Sequence, residues 1–380
     1  MNKLTSPVLM AGIPLQNADL RYAAPFSGSD PVVFLRDGRR KHLVVGGMEV
    51  ARARRLFGQR LQVWAPAELP VSRRPPRSLT EWCLGLLRRL KIRSVLVPDD
   101  FPAGMLQRLA GAGVRVQVLA QAVFPEREIK STAELARIRE CQRVAVAAMR
   151  AAIGMIRRAS VDRRGELRDR QGVLTAERVK RAIHAVMLQH DCMGCGTIVA
   201  CGRAAADPHE TGQGPLRAGQ GIVLDIFPRH LEHGYWGDLS RTVVKGAPPP
   251  ELRRMYQAVR HAQALALAQI RAGAVARRIY ELVLNYFTQA GFATNMAAGK
   301  MEGFIHSVGH GLGLEVHEGP RIGLQDNRLR AGQVLTVEPG LYYRKIGGVR
   351  VEDVVVVTAA GCRILQRCPH VFQLTDCRTA

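Results

Sequence analysis

No stretch of this sequence holds the roughly 18 consecutive apolar residues that a membrane-spanning helix requires. The opening segment, MNKLTSPVLMAGIPLQNADL, has a short apolar run broken by Pro14, without the apolar core or cleavage site of a secretory signal. Low-complexity tracts and clear internal repeats are also missing. Acidic residues are scarce, 32 against 55 basic ones, for a net charge of +23. The arginines are scattered through every segment. A nucleic-acid surface needs its charge gathered on one face, so nucleic acid is not an expected partner. The eight cysteines are dispersed, and only Cys192 and Cys195 stand as C-x-x-C. No second pair completes a zinc-like spacing, and a chain of this size does not need disulfides. Together these absences predict a cytoplasmic protein of a reducing compartment, with no membrane partner.

What is present is a globular composition, 47% hydrophobic and 23% charged, over 380 residues. That length exceeds what one core usually serves, so two domains are expected. Up to about residue 125, strand and helix signals alternate. VVFL (32–35) and HLVVG (42–46) flank the turn RDGRR. SVLV (94–97) and VRVQVL (114–119) read as strands, with helices over 78–91 and AGMLQRLAGAG. This pattern is a small α/β domain. Ser131 and Glu134 then form a capping box ahead of a long amphipathic helix, which places the boundary at 127, with domains 1–127 and 128–380. The basic segment 157–172 reads as an exposed loop, and helices follow over 174–190, 251–272 and 275–290. The remainder is glycine-rich and β-prone, so the second domain is α+β.

Three clusters carry candidate chemistry. In LDIFPRHLEHGYWGDLS (224–240), Asp225 and Asp238 stand thirteen apart, on two strands around a polar turn. A turn centred at Leu231–Glu232 puts them directly opposite one another on one face. Facing like charges among apolar neighbours ask for a cation, a shared proton or an arginine, and Arg241 is close in sequence, so a salt bridge is one reading. The second cluster, FIHSVGHGLGLEVHEGP (304–320), holds His306, His310 and His317. It matches neither H-E-x-x-H nor G-x-G-x-x-G. The third, VLTVEPGLYYRKIGGVRVEDVVVVT (334–358), sets Glu338 and Glu352 each in a strongly β-prone apolar run, where a solvated strand edge accounts for one acid better than for both and burial is the other reading. An unpaired charge there costs several kcal/mol. Carboxylates with imidazole suit manganese, cobalt, zinc or iron.

Asp225, Asp238, His310, Glu338 and Glu352, in this order and within GDLSRT, GHGLGLEVHE, VEPGLYY and GVRVED, resemble the ligand set of the pita-bread metallopeptidases. The likeness covers residues 195–360 and is closest to the Xaa-Pro aminopeptidase and prolidase branch. The first 125 residues resemble that branch's N-terminal domain in size and pattern. The resemblance implies an α/β N-terminal domain followed by an α+β pita-bread (creatinase/aminopeptidase) catalytic domain. It implies two divalent ions, most often manganese, with Asp225 on one, His310 and Glu338 on the other, and Asp238 and Glu352 bridging. A hydroxide between the metals would attack the scissile carbonyl, Glu338 would shuttle the proton and His317 would stabilise the oxyanion. His209 would contact substrate, His306 would line its pocket, and Tyr342 and Arg350 would support the ligands. The implied activity is hydrolysis of the bond preceding proline in a peptide with proline second, by a homodimer. Creatine hydrolysis is disfavoured because creatinase-type members do not keep the five ligands. A hydrolase of another amide, or a non-catalytic pita-bread protein binding nucleic acid or protein through its basic surface, are the alternatives. In the family the first two aspartates stand eleven apart, and thirteen here. The added pair preserves strand parity and lengthens the turn at 228–234, where His230 and His233 are expected to be surface residues.

Overall fold

The Ser131 hydroxyl accepts the Glu134 amide, and the Glu134 carboxylate accepts the Ser131 amide. This reciprocal cap starts the longest helix of the chain, Thr132–Arg158. The computed structural model describes residues 6–26, 28–70, 76–297 and 299–375. Cys377 lies outside them. The chain divides into two compact units, Met1–Arg127 and Glu128–Ala380.

In the first unit the strands are β1 (Val8–Gly12), β2 (Val32–Asp37), β3 (Arg40–Val44), β4 (Gln62–Trp64), β5 (Ser94–Val97) and β6 (Arg115–Val118). They form one mixed sheet in the order β4-β3-β2-β1-β5-β6. The helices are α1 (Ala18–Ala23), α2 (Val50–Phe57), α3 (Leu79–Arg89) and α4 (Ala103–Gly111). Alternation sorts the strand residues into two cores. Met10, Phe34 and Leu43 pack with α1 and α2, while Leu9, Val33, Leu35 and Val44 pack with α3 and α4. The hairpin around RDGRR forms, with Phe34 opposite Leu43. The N-terminal apolar run is itself a strand: β1 lies inside the sheet, antiparallel to β2 and parallel to β5.

The second unit opens with α5 (Thr132–Arg158). The segment 157–172, expected to be a loop, is mostly a small antiparallel meander of β7 (Ser160–Val161), β8 (Leu167–Asp169) and β9 (Gly172–Val173). Leu167 is buried, Asp162 turns the chain by accepting the Arg164 and Glu166 amides at 2.9 Å, and Asp169 pairs with Arg178 at 2.7 Å. High charge hid this order, because its three acids are each paired with an arginine, Asp162 with Arg168, Glu166 with Arg217 and Asp169 with Arg178.

Next come α6 (Ala176–Leu188), β10 (Cys192–Met193), β11 (Ile198–Cys201), β12 (Ile222–Ile226), β13 (Arg229–His230) and β14 (Leu239–Lys245). After α7 (Pro250–Gln269) and α8 (Ala276–Gln289) the strands are β15 (Asn295–Ala297), β16 (Lys300–Glu302), β17 (Gly309–Gly311), β18 (Glu318–Ile322), β19 (Val334–Val337), β20 (Gly340–Tyr343), β21 (Gly347–Arg350), β22 (Asp353–Val357), β23 (Cys362–Ile364) and β24 (Gln373–Leu374). Two sheets dominate, β11-β12-β14-β24 and β18-β17-β19-β22-β23. Leu224, Ile226, Leu239 and Val243 of the first share a core with α5 and α6. Leu335, Val337, Val355 and Val357 of the second share one with α7 and α8. Among the described residues, no helix is long and apolar enough to cross a membrane. The described cysteines are all free thiols.

Candidate metal centre

Strand parity decides which side chains enter the site. Ile222, Leu224 and Ile226 face the α5–α6 core, so Asp225 faces away from it. Leu239 and Val243 face that core too, which puts Asp238, Ser240 and Thr242 on the side of Asp225. The same rule turns Glu338 and Glu352 away from the α7–α8 core that takes Val337, Val355 and Val357.

The register corrects the expectation of directly opposed aspartates. Asp225 pairs with Ser240, not Asp238. The two aspartates are diagonal neighbours on one face. The reason is the tip: residues 227–238 leave the β12–β14 ladder, and β13 pairs with β10 instead. Arg241 is also placed differently. It points to the opposite face, and its guanidinium meets Asp353 Oδ1 at 2.8 Å. Asp353 in turn accepts Gln263 of α7 at 3.1 Å.

Asp238, His310 and Glu352 converge. Each offers a ligand atom, and these atoms lie within 4.8 Å of one another. All three residues are buried. His310 Nε2 lies 3.2 Å from Glu338 Oε1 and 3.9 Å from Asp238 Oδ2. Its Nδ1 donates to the Gly311 carbonyl at 3.1 Å. Nε2 is thus the nitrogen turned toward the carboxylates: burial lowers the imidazole's pKa, but the hydrogen bond to Glu338 and the charges of Glu338 and Asp238 raise it to about 9, so without a metal Nε2 holds the proton that a cation would replace. Asp225 is held by Ser240 Oγ at 2.7 Å and Arg350 at 2.6 Å.

The electrostatics ask for more positive charge than the side chains supply. Burial raises the Asp238 carboxyl well above its usual range, and the charge of Asp225 adds to the shift. Glu352 is raised in the same way, by burial and then by Asp238. Burial also pushes Glu338 upward, but the hydrogen bond and charge of His310 overcome it and hold it at about 2. Glu352 Oε1 is buried without a hydrogen-bond partner. An orphaned buried carboxylate oxygen beside raised acids and an imidazole nitrogen turned toward them is what a divalent cation satisfies. The residues present therefore fit a metal site.

The other expected site residues group around this centre. His306 Nδ1 donates to Ser307 O at 2.7 Å, so Nε2 accepts from the Tyr342 hydroxyl at 2.9 Å. That hydroxyl accepts Arg350 at 2.8 Å. Burial raises the Tyr342 phenol to about 12 and depresses His306, keeping both neutral. His317 stands edge-on to His310, with ring centroids 4.3 Å apart, and burial lowers its pKa. His209 is exposed, and its charge acts on both His306 and His317.

Several supporting residues escaped sequence reasoning. Ser240 bridges Asp225 and Arg350, accepting the Arg350 Nε at 3.0 Å. Its position two after Asp238, on the same face, was the available signal. Gln142 of α5 donates to the Asp238 carbonyl at 2.7 Å. Gly237 permits that approach, since a Cβ there would lie 2.7 Å from the Cys141 carbonyl carbon. Arg241 also donates to the backbone carbonyl of Glu352. Replacing Arg241 by Leu should cost about 3–5 kcal/mol, because Asp353 is left buried without its guanidinium, with Gln263 and His370 as its remaining partners. Urea unfolding measures this, and a loss below about 1 kcal/mol would contradict the pairing.

The tip histidines are not the surface residues expected. His230 is buried, and His233 stacks on it with centroids 3.8 Å apart. With Glu140 they form a second group of metal-type spacing. Its chemistry is different. His230 Nδ1 accepts the Glu232 amide at 3.1 Å, and His233 Nδ1 accepts the Tyr235 amide at 3.2 Å. In the neutral rings each Nε2 then carries the proton, and His233 Nε2 faces Glu140 at 3.5 Å. A ligand imidazole donates from its second nitrogen, so this group is a clasp between the turn and α5.

Comparison with known proteins bears on the family and the fold. The model described as metallopeptidase family M24 matches residues 136–359. The Xaa-Pro dipeptidase of Pyrococcus horikoshii is 36% identical over 173 residues, 45% of this chain and 46% of that protein. The Xaa-Pro dipeptidase of Lactobacillus delbrueckii subsp. lactis is 35% identical over 199 residues, 50% of each. The chain thus spans about half the length of the curated relatives it matches. Among solved structures, the prolidase from Pyrococcus horikoshii OT3 has a TM-score of 0.78 at 26% identity, covering 96% of this chain and 95% of that one. The X-Pro aminopeptidase from Thermotoga maritima MSB8 has a TM-score of 0.80 at 24% identity, covering 97% of each, a likeness of fold. The expected fold, an α/β unit followed by an α+β pita-bread unit, holds.

Proposed function

Because the chain belongs to metallopeptidase family M24, we propose that it hydrolyses the bond before proline, using two divalent ions held by Asp225, Asp238, His310, Glu338 and Glu352. The observation that carries this reading is the buried convergence of Asp238, His310 and Glu352 around an orphaned carboxylate oxygen. Such ions, when bound, supply Lewis acidity and an activated water. Manganese is the expected metal, with cobalt, zinc or iron as alternatives.

The residues divide the remaining work. Glu338, held ionised by His310, takes the proton of the attacking water and passes it to the prolyl nitrogen. That nitrogen belongs to a tertiary amide without an N–H, and proline's ring fixes φ, so ordinary peptidase sites fit it poorly. His317, kept neutral by burial, donates a hydrogen bond to the carbonyl oxygen as negative charge develops there. Arg350 and Ser240 aim Asp225 into the site. The Arg350–Tyr342–His306 chain gives a rigid wall beside it. His209 meets substrate from the exposed side. The chain acts as a homodimer in this reading, with residues 1–127 as its N-terminal domain and 128–380 as its catalytic domain.

The relatives named as Xaa-Pro dipeptidases favour a dipeptide substrate over a longer peptide. Gly-Pro should be cleaved with a kcat/KM at least about tenfold above that for Gly-Pro-Ala. Assays of manganese-loaded protein on both peptides decide this. Turnover of N-acyl amino acids with neither peptide cleaved would replace the reading by a general amide hydrolase.

A further inference from the structure

The loop that carries His317 is closed by a buried ion pair. Lys130 lies just ahead of α5, and its ammonium meets Glu318 Oε1, with side chains 1% and 7% exposed. Lysine and glutamate are almost never buried this far unless paired. Residues 312–317 leave β17 after His310 and return to the sheet at Glu318. The Glu318 carboxylate folds over the start of this loop: a Cβ on Gly313 would lie 2.4 Å from its Oε1. Trp236 grips the same point, its amide donating to Gly313 O at 2.9 Å and its indole to Leu314 O at 3.1 Å. Lys130 is itself anchored, since its amide donates to Gly332 O at 2.9 Å and Ile129 bridges to Gln333. Those residues lead directly into β19, which precedes Glu338.

We propose that the Lys130–Glu318 pair is a positioning device for His317. It ties the far end of the loop to the segment that delivers Glu338, so the imidazole stands at a fixed place beside His310. Lys130 touches no reacting atom; it acts through Glu318 and the loop. This rests on the reading of His317 as the group that stabilises the oxyanion.

The test compares Lys130→Met, His317→Ala and their combination on an Xaa-Pro dipeptide. Lys130→Met should lower kcat about 30-fold by loosening a catalytic group, with KM changed less than about threefold. Metal content should stay as in the parent. In the His317→Ala background the same change should alter kcat less than about twofold, because the group it positions is gone. Multiplicative effects in the double variant, or an unchanged kcat in Lys130→Met, would overturn the proposal. If Lys130→Met does not fold, Glu318→Gln keeps the side-chain shape and carries the same comparison. A second readout needs no turnover: imidazole NMR of the metal-free protein. The His317 resonances should move in Lys130→Met while those of His209 do not. Unmoved His317 resonances would sink the positioning role. If the parent chain cleaves no Xaa-Pro substrate, the functional reading fails, and the NMR arm alone decides the proposal.

Discussion

Asp238→Ala should abolish hydrolysis and release both metal ions. Asp238 sits between the partner carboxylates, facing His310 on one side and acted on by Asp225 and Glu338. Residues that act as one unit give losses far larger than a single contact, here at least about 10⁴-fold in kcat. Metal analysis of the purified variant is the direct check. Two ions per chain in Asp238→Ala would remove Asp238 from the ligand set. The same carboxylates set a pH dependence in the metal-free protein. Asp238 and Glu352 are raised in the fold, so the native state holds protons that the unfolded chain has released. Stability should therefore fall as pH rises from about 4, the unfolded carboxyl range. Glu338 has the opposite sign. Its pKa of about 2 stabilises the fold above the unfolded value, and that contribution is lost as pH falls toward 2. Added manganese should flatten the decline on the high-pH side, because binding to the native state adds stability there. Thermal melting with and without metal measures this.

His317→Ala should lower kcat by about 10²–10³-fold, the cost of losing one oxyanion donor. Here the expected pattern differs from that of Asp238→Ala. His317 stands edge-on to His310 and is not one of the five proposed ligands, so both ions should stay bound. KM should change little, because the interaction develops in the transition state. A variant that loses metal along with activity would make His317 a ligand or its support. One that keeps full activity would remove it from the reaction.

Much of the fold was legible because local rules and tertiary structure agree. The Ser131–Glu134 box begins α5 where the sequence places it, since a cap is complete within four residues. The hairpin at RDGRR and the helices α3, α4, α6, α7 and α8 follow from periodicity alone. β1 was missed because Pro14 and a short polar flank hide a strand whose support comes from β2 and β5, distant in sequence. The meander at 160–173 was missed because its order rests on ion pairs and an Asx turn, not on apolar alternation. The aspartate register failed for a related reason: the tip of the β12–β14 hairpin is held by β10 and α5, and its centre cannot be found from its own residues.

The sequence by itself determined the chemistry on offer. Acid and imidazole positions in β-prone or glycine-rich settings asked for a cation, a shared proton or an arginine, because buried carboxylates without one are too costly, and the resemblance of the motifs pointed to two divalent ions. Strand parity, also a property of the sequence, decided that Asp225 and Asp238 share a face. Only the tertiary structure decided which charges neutralise which. Arg241 serves Asp353 while Arg350 serves Asp225, although Arg241 is the nearer arginine along the chain. Lys130 reaches Glu318 across 188 residues. Such pairings are fixed by sheet faces and loop closure, in which sequence neighbours point apart and residues far along the chain meet.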